Sequence, residues 1–165
     1  MFTLGHLVLK LGQRLGRTPA GEIILSRNGA YSYSSRIRFT HTDPAGYVFF
    51  PRFFDKFQAA VEDWFNYELQ DDYAGLFLKQ GMGLPTAHTE CTFLKPCLLG
   101  EILDLQVELK RVGTTSITVA FTGSVASEQR LLAQSVLVFI DLKDGRPVAI
   151  PEELRDKLEL YNSSQ

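Results

Sequence analysis

The hydrophobic and polar positions change period along this chain, and each change marks an element. From Ser35 to Asp43, "SSRIRFTHTD" alternates apolar and polar residues, which predicts a first strand ending before Pro44. From Pro51 the spacing becomes three and four. Phe53, Phe54, Phe57, Val61, Trp64, Phe65 and Leu69 form one wide apolar stripe, while Arg52, Asp55, Lys56, Glu62 and Asp63 fall largely elsewhere. Pro51 suits the first helical position, where a missing N–H costs nothing. The stripe predicts a helix of about 19 residues, roughly 28 Å long at 1.5 Å per residue. A shorter helix follows in "DDYAGLFLKQG", stopped by Gly81.

Beyond Gly81 the period falls to two. Strands are expected over 84–95, 101–112, 115–127 and 130–142. Leu103, Leu105, Val107 and Leu109 share one face, as do Ile117, Val119, Phe121 and Val125. The links "PCLLGE", "GT", "SEQ" and "KDG" are short and turn-like, so neighbouring strands run antiparallel. Pro151 and two acids open a terminal helix in "PEELRDKLELY". Helix runs followed by strand runs indicate an α+β class. A curved antiparallel sheet wrapped around the long helix meets the burial demand of its aromatic face.

A chain of 165 residues, 45% apolar and 22% charged, suits one domain with a core of its own. The boundary is placed between an N-terminal extension, 1–33, and a main domain, 34–165. In the extension Leu4, Leu7, Leu11 and Leu15 have helical spacing, with Lys10, Arg14 and Arg17 between them. Transit peptides and membrane-surface helices share that pattern. Gly5, Gly12 and Gly16 weaken the helix, which favours an extension packed on the domain or on a neighbouring subunit. "RTPAGE" and "SRNGAYSYSS" read as loops, with Asn28-Gly29 suited to a hairpin turn.

A net charge of −2 without a basic stripe gives no reason to expect a nucleic-acid partner. No apolar run is long enough to span a bilayer. Two cysteines, Cys91 and Cys97, fit neither a disulfide framework nor a metal site, so a reducing, cytoplasmic setting is expected.

The segment "HTDPAGYVFFPRFF" and the aromatic helix behind it resemble the hotdog-fold acyl-CoA thioesterases, the 4-hydroxybenzoyl-CoA thioesterase type most of all. The resemblance continues through "GLPTAHTECTFLKPCLLGEILDLQVELKRVGTTSIT" to "PVAIPEELRDKL", roughly residues 35 to 158. It implies hydrolysis of an aromatic or short-chain acyl-CoA to free acid and CoA. It also implies a homodimer or homotetramer with sites at the subunit interface, no metal, and no cofactor beyond the CoA of the substrate.

On that resemblance Asp43 acts as nucleophile or as base for water, and the Phe50 backbone N–H, at the helix start, holds the oxyanion. By itself Asp43 is equally suited to cap its own turn. His41, two residues earlier, is placed to assist a proton transfer or to orient the carboxylate, or to serve only as a structural histidine. Gly46, Tyr47, Phe53 and His88 are candidates for the acyl pocket. Arg52, Lys95, Lys110 and Arg111 are candidates for the CoA phosphates. Glu101 reads as a turn residue rather than a catalytic acid. Two other functions remain on the same scaffold: a non-catalytic acyl-CoA binding module and an enoyl-CoA hydratase or dehydratase.

Overall fold

The computed structural model describes residues 30–163 together with the backbone of two short strands, β1 (Leu15–Arg17) and β2 (Ile23–Leu25), which pair antiparallel. The helical spacing expected before residue 14 and the Asn28-Gly29 turn lie outside the described residues. Leu15, placed on the helical stripe, instead begins a strand.

The main sheet has five antiparallel strands. They are β3 (Tyr31–Arg36), β5 (Thr86–Phe93), β6 (Ile102–Val112), β7 (Ser116–Val125) and β8 (Glu128–Val138), in the order β3-β6-β7-β8-β5. Two-residue strands β4 (Met82–Gly83) and β9 (Ile140–Asp141) pair with each other beside it. The buried positions on the three central strands follow the expected alternation. Leu103, Leu105, Val107 and Leu109 lie under the helix with Ile117, Val119, Phe121, Leu131 and Leu137. Bulges in the β5–β8, β6–β7 and β7–β8 ladders supply local bends that a curved sheet requires.

The first strand lies earlier than the sequence pattern indicates. The strand runs from Tyr31 to Arg36 instead of starting at Ser35, and residues 39–41 form a 3₁₀ turn. Side chains cause the break. The Arg38 amide donates to His41 Nδ1 at 3.0 Å, and Thr42 Oγ1 donates to the Phe39 carbonyl at 2.9 Å. Both bonds offer the backbone an alternative to the ladder.

Helix α1 (Arg52–Asp63) runs on into a π-helical turn, Trp64–Glu68. Together they occupy nearly the whole expected span. Phe53, Phe57, Val61, Trp64 and Phe65 are buried against the sheet. Phe57 stacks on Phe121 with ring centres 4.8 Å apart, and Phe53 meets Phe93 at 5.1 Å. Lys56, expected on the polar side, is 5% exposed, and its ammonium donates to Ser35 Oγ at 2.8 Å. Helix α2 (Tyr73–Leu78) is capped by Asp72, whose carboxylate accepts from the Gly75 amide. Helix α3 (Glu152–Ser163) closes the β3–β6 side: the Tyr31 amide donates to Tyr161 Oη, which donates in turn to the Val107 carbonyl.

Candidate active site

The turn ahead of α1 is built from "DPAG". Pro44 presets the backbone dihedral of a tight turn, and the Gly46 amide donates back to the Asp43 carbonyl at 3.0 Å. Gly46 follows at φ +80°, the left-handed region, as in a three-residue hairpin loop. The Asp43 amide then reaches the Tyr47 carbonyl at 2.9 Å, and the Phe49 amide reaches the His41 carbonyl at 3.0 Å. The result is a miniature hairpin, 41–49, leading directly into the helix. Among the described residues nothing lies within 4 Å of a Cβ added at Gly46, so the glycine answers to backbone geometry and not to crowding.

Within this hairpin Asp43 Oδ1 accepts from the Ala45 amide at 2.9 Å and from the Tyr47 amide at 3.3 Å. Oδ2 has no partner among the described residues. The carboxylate therefore both fixes its own turn and keeps one oxygen uncommitted.

The amides from 41 to 54 can be accounted for one by one. Those of His41, Thr42, Asp43, Ala45, Gly46, Tyr47, Val48, Phe49, Arg52, Phe53 and Phe54 each have an acceptor, and Pro44 and Pro51 have no N–H. The Phe50 N–H has none among the described residues. It sits one residue before Pro51, where the helix dipole favours negative charge.

Phe50 borders an open cavity of about 300 Å³, with Tyr47, Phe53, Phe93 and Lys95 also on its wall. A second cavity of about 200 Å³ lies further along the helix, between Phe54, Phe57 and Val61 on one side and Thr89 and Ser135 on the other. The structure thus brings Tyr47, Phe50, Phe53 and Lys95 to one place, beside the turn that carries Asp43 and Gly46. Tyr47 is half exposed; Phe53 is buried.

His41 accepts the Arg38 amide at Nδ1, which puts the proton of its neutral ring on Nε2. Burial lowers its pKa, and the nearby cations Lys56, Arg52 and Arg38 push in the same direction. His88 is exposed on the edge strand β5 beside the bulge. Among the basic candidates, Arg52 pairs with Asp55 at 3.2 Å, and Lys95 pairs with Glu128. Lys110 pairs with Glu108 on the sheet face opposite buried Val107 and Leu109, and Arg111 is exposed after the bulge. Neither borders the Phe50 cavity.

Glu101 accepts the Leu98 amide at 2.7 Å and meets Arg130, a turn role as the sequence indicates. Arg130 and the burial of Lys56 are the parts of this region that the sequence does not reveal. No spacing rule flags a basic residue whose partners come from another strand. Among the described residues no group of three His, Cys, Asp or Glu side chains could hold a metal ion, and no helix is long and apolar enough to cross a membrane.

A five-stranded antiparallel sheet around one long aromatic helix, with a turn and a cavity at the helix start, is the hotdog fold of the acyl-CoA thioesterases. The chain belongs to the Thioesterase-like superfamily, which matches residues 37–158. Among relatives, it is 26% identical over 123 residues to a 1,4-dihydroxy-2-naphthoyl-CoA hydrolase of Thermosynechococcus vestitus, covering 74% of this chain and 84% of that one. Among solved structures, a 1,4-dihydroxy-2-naphthoyl-CoA thioesterase from Synechocystis superposes with a TM-score of 0.72 at 20% identity, covering 78% of this chain and 95% of that one. A gentisyl-coenzyme A thioesterase superposes with a TM-score of 0.71 at 20% identity, covering 77% and 98%.

Proposed function

We propose that this protein hydrolyses an aromatic or short-chain acyl-CoA to the free acid and CoA. The observation that carries the reading is the Phe50 amide, the one N–H between residues 41 and 54 without an acceptor among the described residues, standing beside a cavity at the helix start. A thioester carbonyl seated there would place its oxygen on that amide, and the charge that develops on attack would be held by the amide and the helix dipole. Asp43 Oδ2 supplies the attack. As a base it takes a proton from water, whose oxygen adds to the carbonyl carbon. As a nucleophile it adds directly and forms an anhydride that water then opens. In both routes the C–S bond breaks, the CoA sulfur leaves with the electron pair and is protonated, and a carboxylic acid remains. Lys95, exposed on the cavity wall, and Arg52, exposed at the start of the helix, are the candidates for the CoA phosphates.

Support for an aromatic acyl group comes from the relatives, which act on hydroxylated aromatic acyl-CoAs by their names, and from the rings of Phe50, Phe53 and Phe93 around the cavity. The test is release of free thiol from a panel of aromatic and aliphatic acyl-CoAs by the wild type and by Asp43→Asn. Loss of an attacking or proton-accepting oxygen is expected to lower kcat at least about 100-fold. Equal rates for the two proteins would remove Asp43 from the chemistry. Tight binding of acyl-CoA with no thiol released would instead favour a non-catalytic binding module.

A further inference from the structure

The loop that walls the Phe50 cavity is held by a residue of β8 and by Glu101. We propose that Arg130, braced by Glu101, is a positioning residue that fixes this loop and, through it, the Phe50 amide. The inference rests on the thioesterase reading of the cavity.

Arg130 lies near the start of β8, with its side chain 14% exposed. Its guanidinium donates to the Pro96 carbonyl and meets Glu101 at 3.4 Å and Glu128 at 3.1 Å. Its own carbonyl accepts the Leu94 and Lys95 amides, at 2.8 and 3.2 Å. Side chain and main chain of one residue therefore hold three consecutive positions of the loop, 94, 95 and 96. Glu101 closes the far end by accepting the Leu98 amide.

The loop passes this order on to the hairpin. The Cys97 carbonyl accepts the Val48 amide at 2.9 Å, and the Leu99 amide donates to the Gly46 carbonyl at 3.1 Å. Tyr47 and Leu98 form an antiparallel bridge. Val48 stands two residues before Phe50, so the direction of the unpaired N–H depends on where Cys97 is held. An oxyanion donor works only if it is aimed before the charge forms. The task also suits arginine in particular. Its planar fork can serve a carbonyl and two carboxylates at once, whereas a lysine offers a single point of charge.

The experiment uses the full chain with Arg130→Met, Arg130→Lys and Glu101→Gln. It follows kcat and KM on the best acyl-CoA of the panel, the melting temperature, and amide hydrogen exchange. With Arg130→Met, kcat is expected to fall about 10- to 100-fold while KM changes little, because a misplaced donor weakens the transition state more than the ground state. Arg130→Lys should recover part of the loss. Exchange at Val48 and Leu99 should accelerate at least about tenfold, while Val119 in the central strand stays protected.

Unchanged kcat, or unchanged exchange at Val48, would overturn the inference. So would a loss of activity that only tracks the folded fraction. If Arg130→Met does not fold, Arg130→Lys and Glu101→Gln carry the same readouts. If the wild type releases no thiol from any acyl-CoA, the thioesterase reading falls separately, and exchange at Val48 and Leu99 still decides whether Arg130 orders the loop.

Discussion

Replacing Gly46 by alanine separates backbone strain from crowding. Gly46 has φ +80°, and nothing lies within 4 Å of an added Cβ. The substitution therefore meets no clash. Its cost comes from holding an L-residue in the left-handed region, about 1–2 kcal/mol. Alanine also narrows the unfolded ensemble, which returns about 0.4–1 kcal/mol. The net loss is about 1 kcal/mol, or about 2–4 °C in melting temperature for a chain of this size. Gly46→Asn should lose less than Gly46→Ala, because asparagine tolerates that conformation. Gly123→Ala is the contrasting case: its Cβ would stand 2.7 Å from Leu131 Cγ and 3.2 Å from Leu105 Cδ2. Overpacking there should cost about 1–3 kcal/mol, and Asn should be worse than Ala. Urea titration of the four variants gives the comparison. If Gly46→Asn proves less stable than Gly46→Ala, or Gly46→Ala matches the wild type, the assignment of strain to the turn is wrong.

Other substitutions probe the core and its ionisable groups. Phe57→Ala removes the ring stacked on Phe121 beside a cavity already present; calorimetry should show a loss of about 3–5 kcal/mol, and a loss under 1 kcal/mol would mean the site collapses freely. Burial lowers the pKa of Lys56, so between its folded and free values the unfolded chain holds more protons, and folding gains stability as pH rises through that window. Lys56→Met should accordingly raise stability near pH 7 by about 1 kcal/mol, an advantage that shrinks toward pH 10.5 and would be contradicted by a variant less stable than wild type. Burial pushes the Cys91 thiol up to about 11, so alkylation by iodoacetamide should be slow at pH 8 and rise only as pH approaches that value. Labelling at pH 8 as fast as that of a free cysteine would refute this.

Period and turn chemistry carried most of the fold. The two-residue alternation from Leu103 to Leu109 and from Ile117 to Phe121 corresponds to a buried sheet face, because only one side of this sheet is covered by the helix. The stripe from Phe53 to Leu69 identified the helix for the same reason. The first strand lies earlier than the pattern indicates because alternation from Ser35 continues through residues that His41 and Thr42 turn away from the ladder by side-chain bonds. Lys56 has a polar position in the helical pattern, yet its long stem and the Ser35 hydroxyl let it lie inside. At the site, "DPAG" and Pro51 make the hairpin and helix start readable. The unpaired state of the Phe50 amide is a statement about all its neighbours, and the contacts of Arg130 span three segments far apart in the chain. Neither has a local signature.

The widened turn from Trp64 to Glu68 makes chain length there part of the design. The Leu69 amide bonds the Trp64 carbonyl, five residues back, where an ordinary helix would close over four. Deleting one residue from this stretch would tighten the coil and swing everything after it by roughly 100°, carrying Leu69 off the interior. Homologues and engineered variants should therefore gain or lose residues freely at exposed loops such as the one at Asp144-Gly145, while the Trp64–Glu68 turn keeps its count.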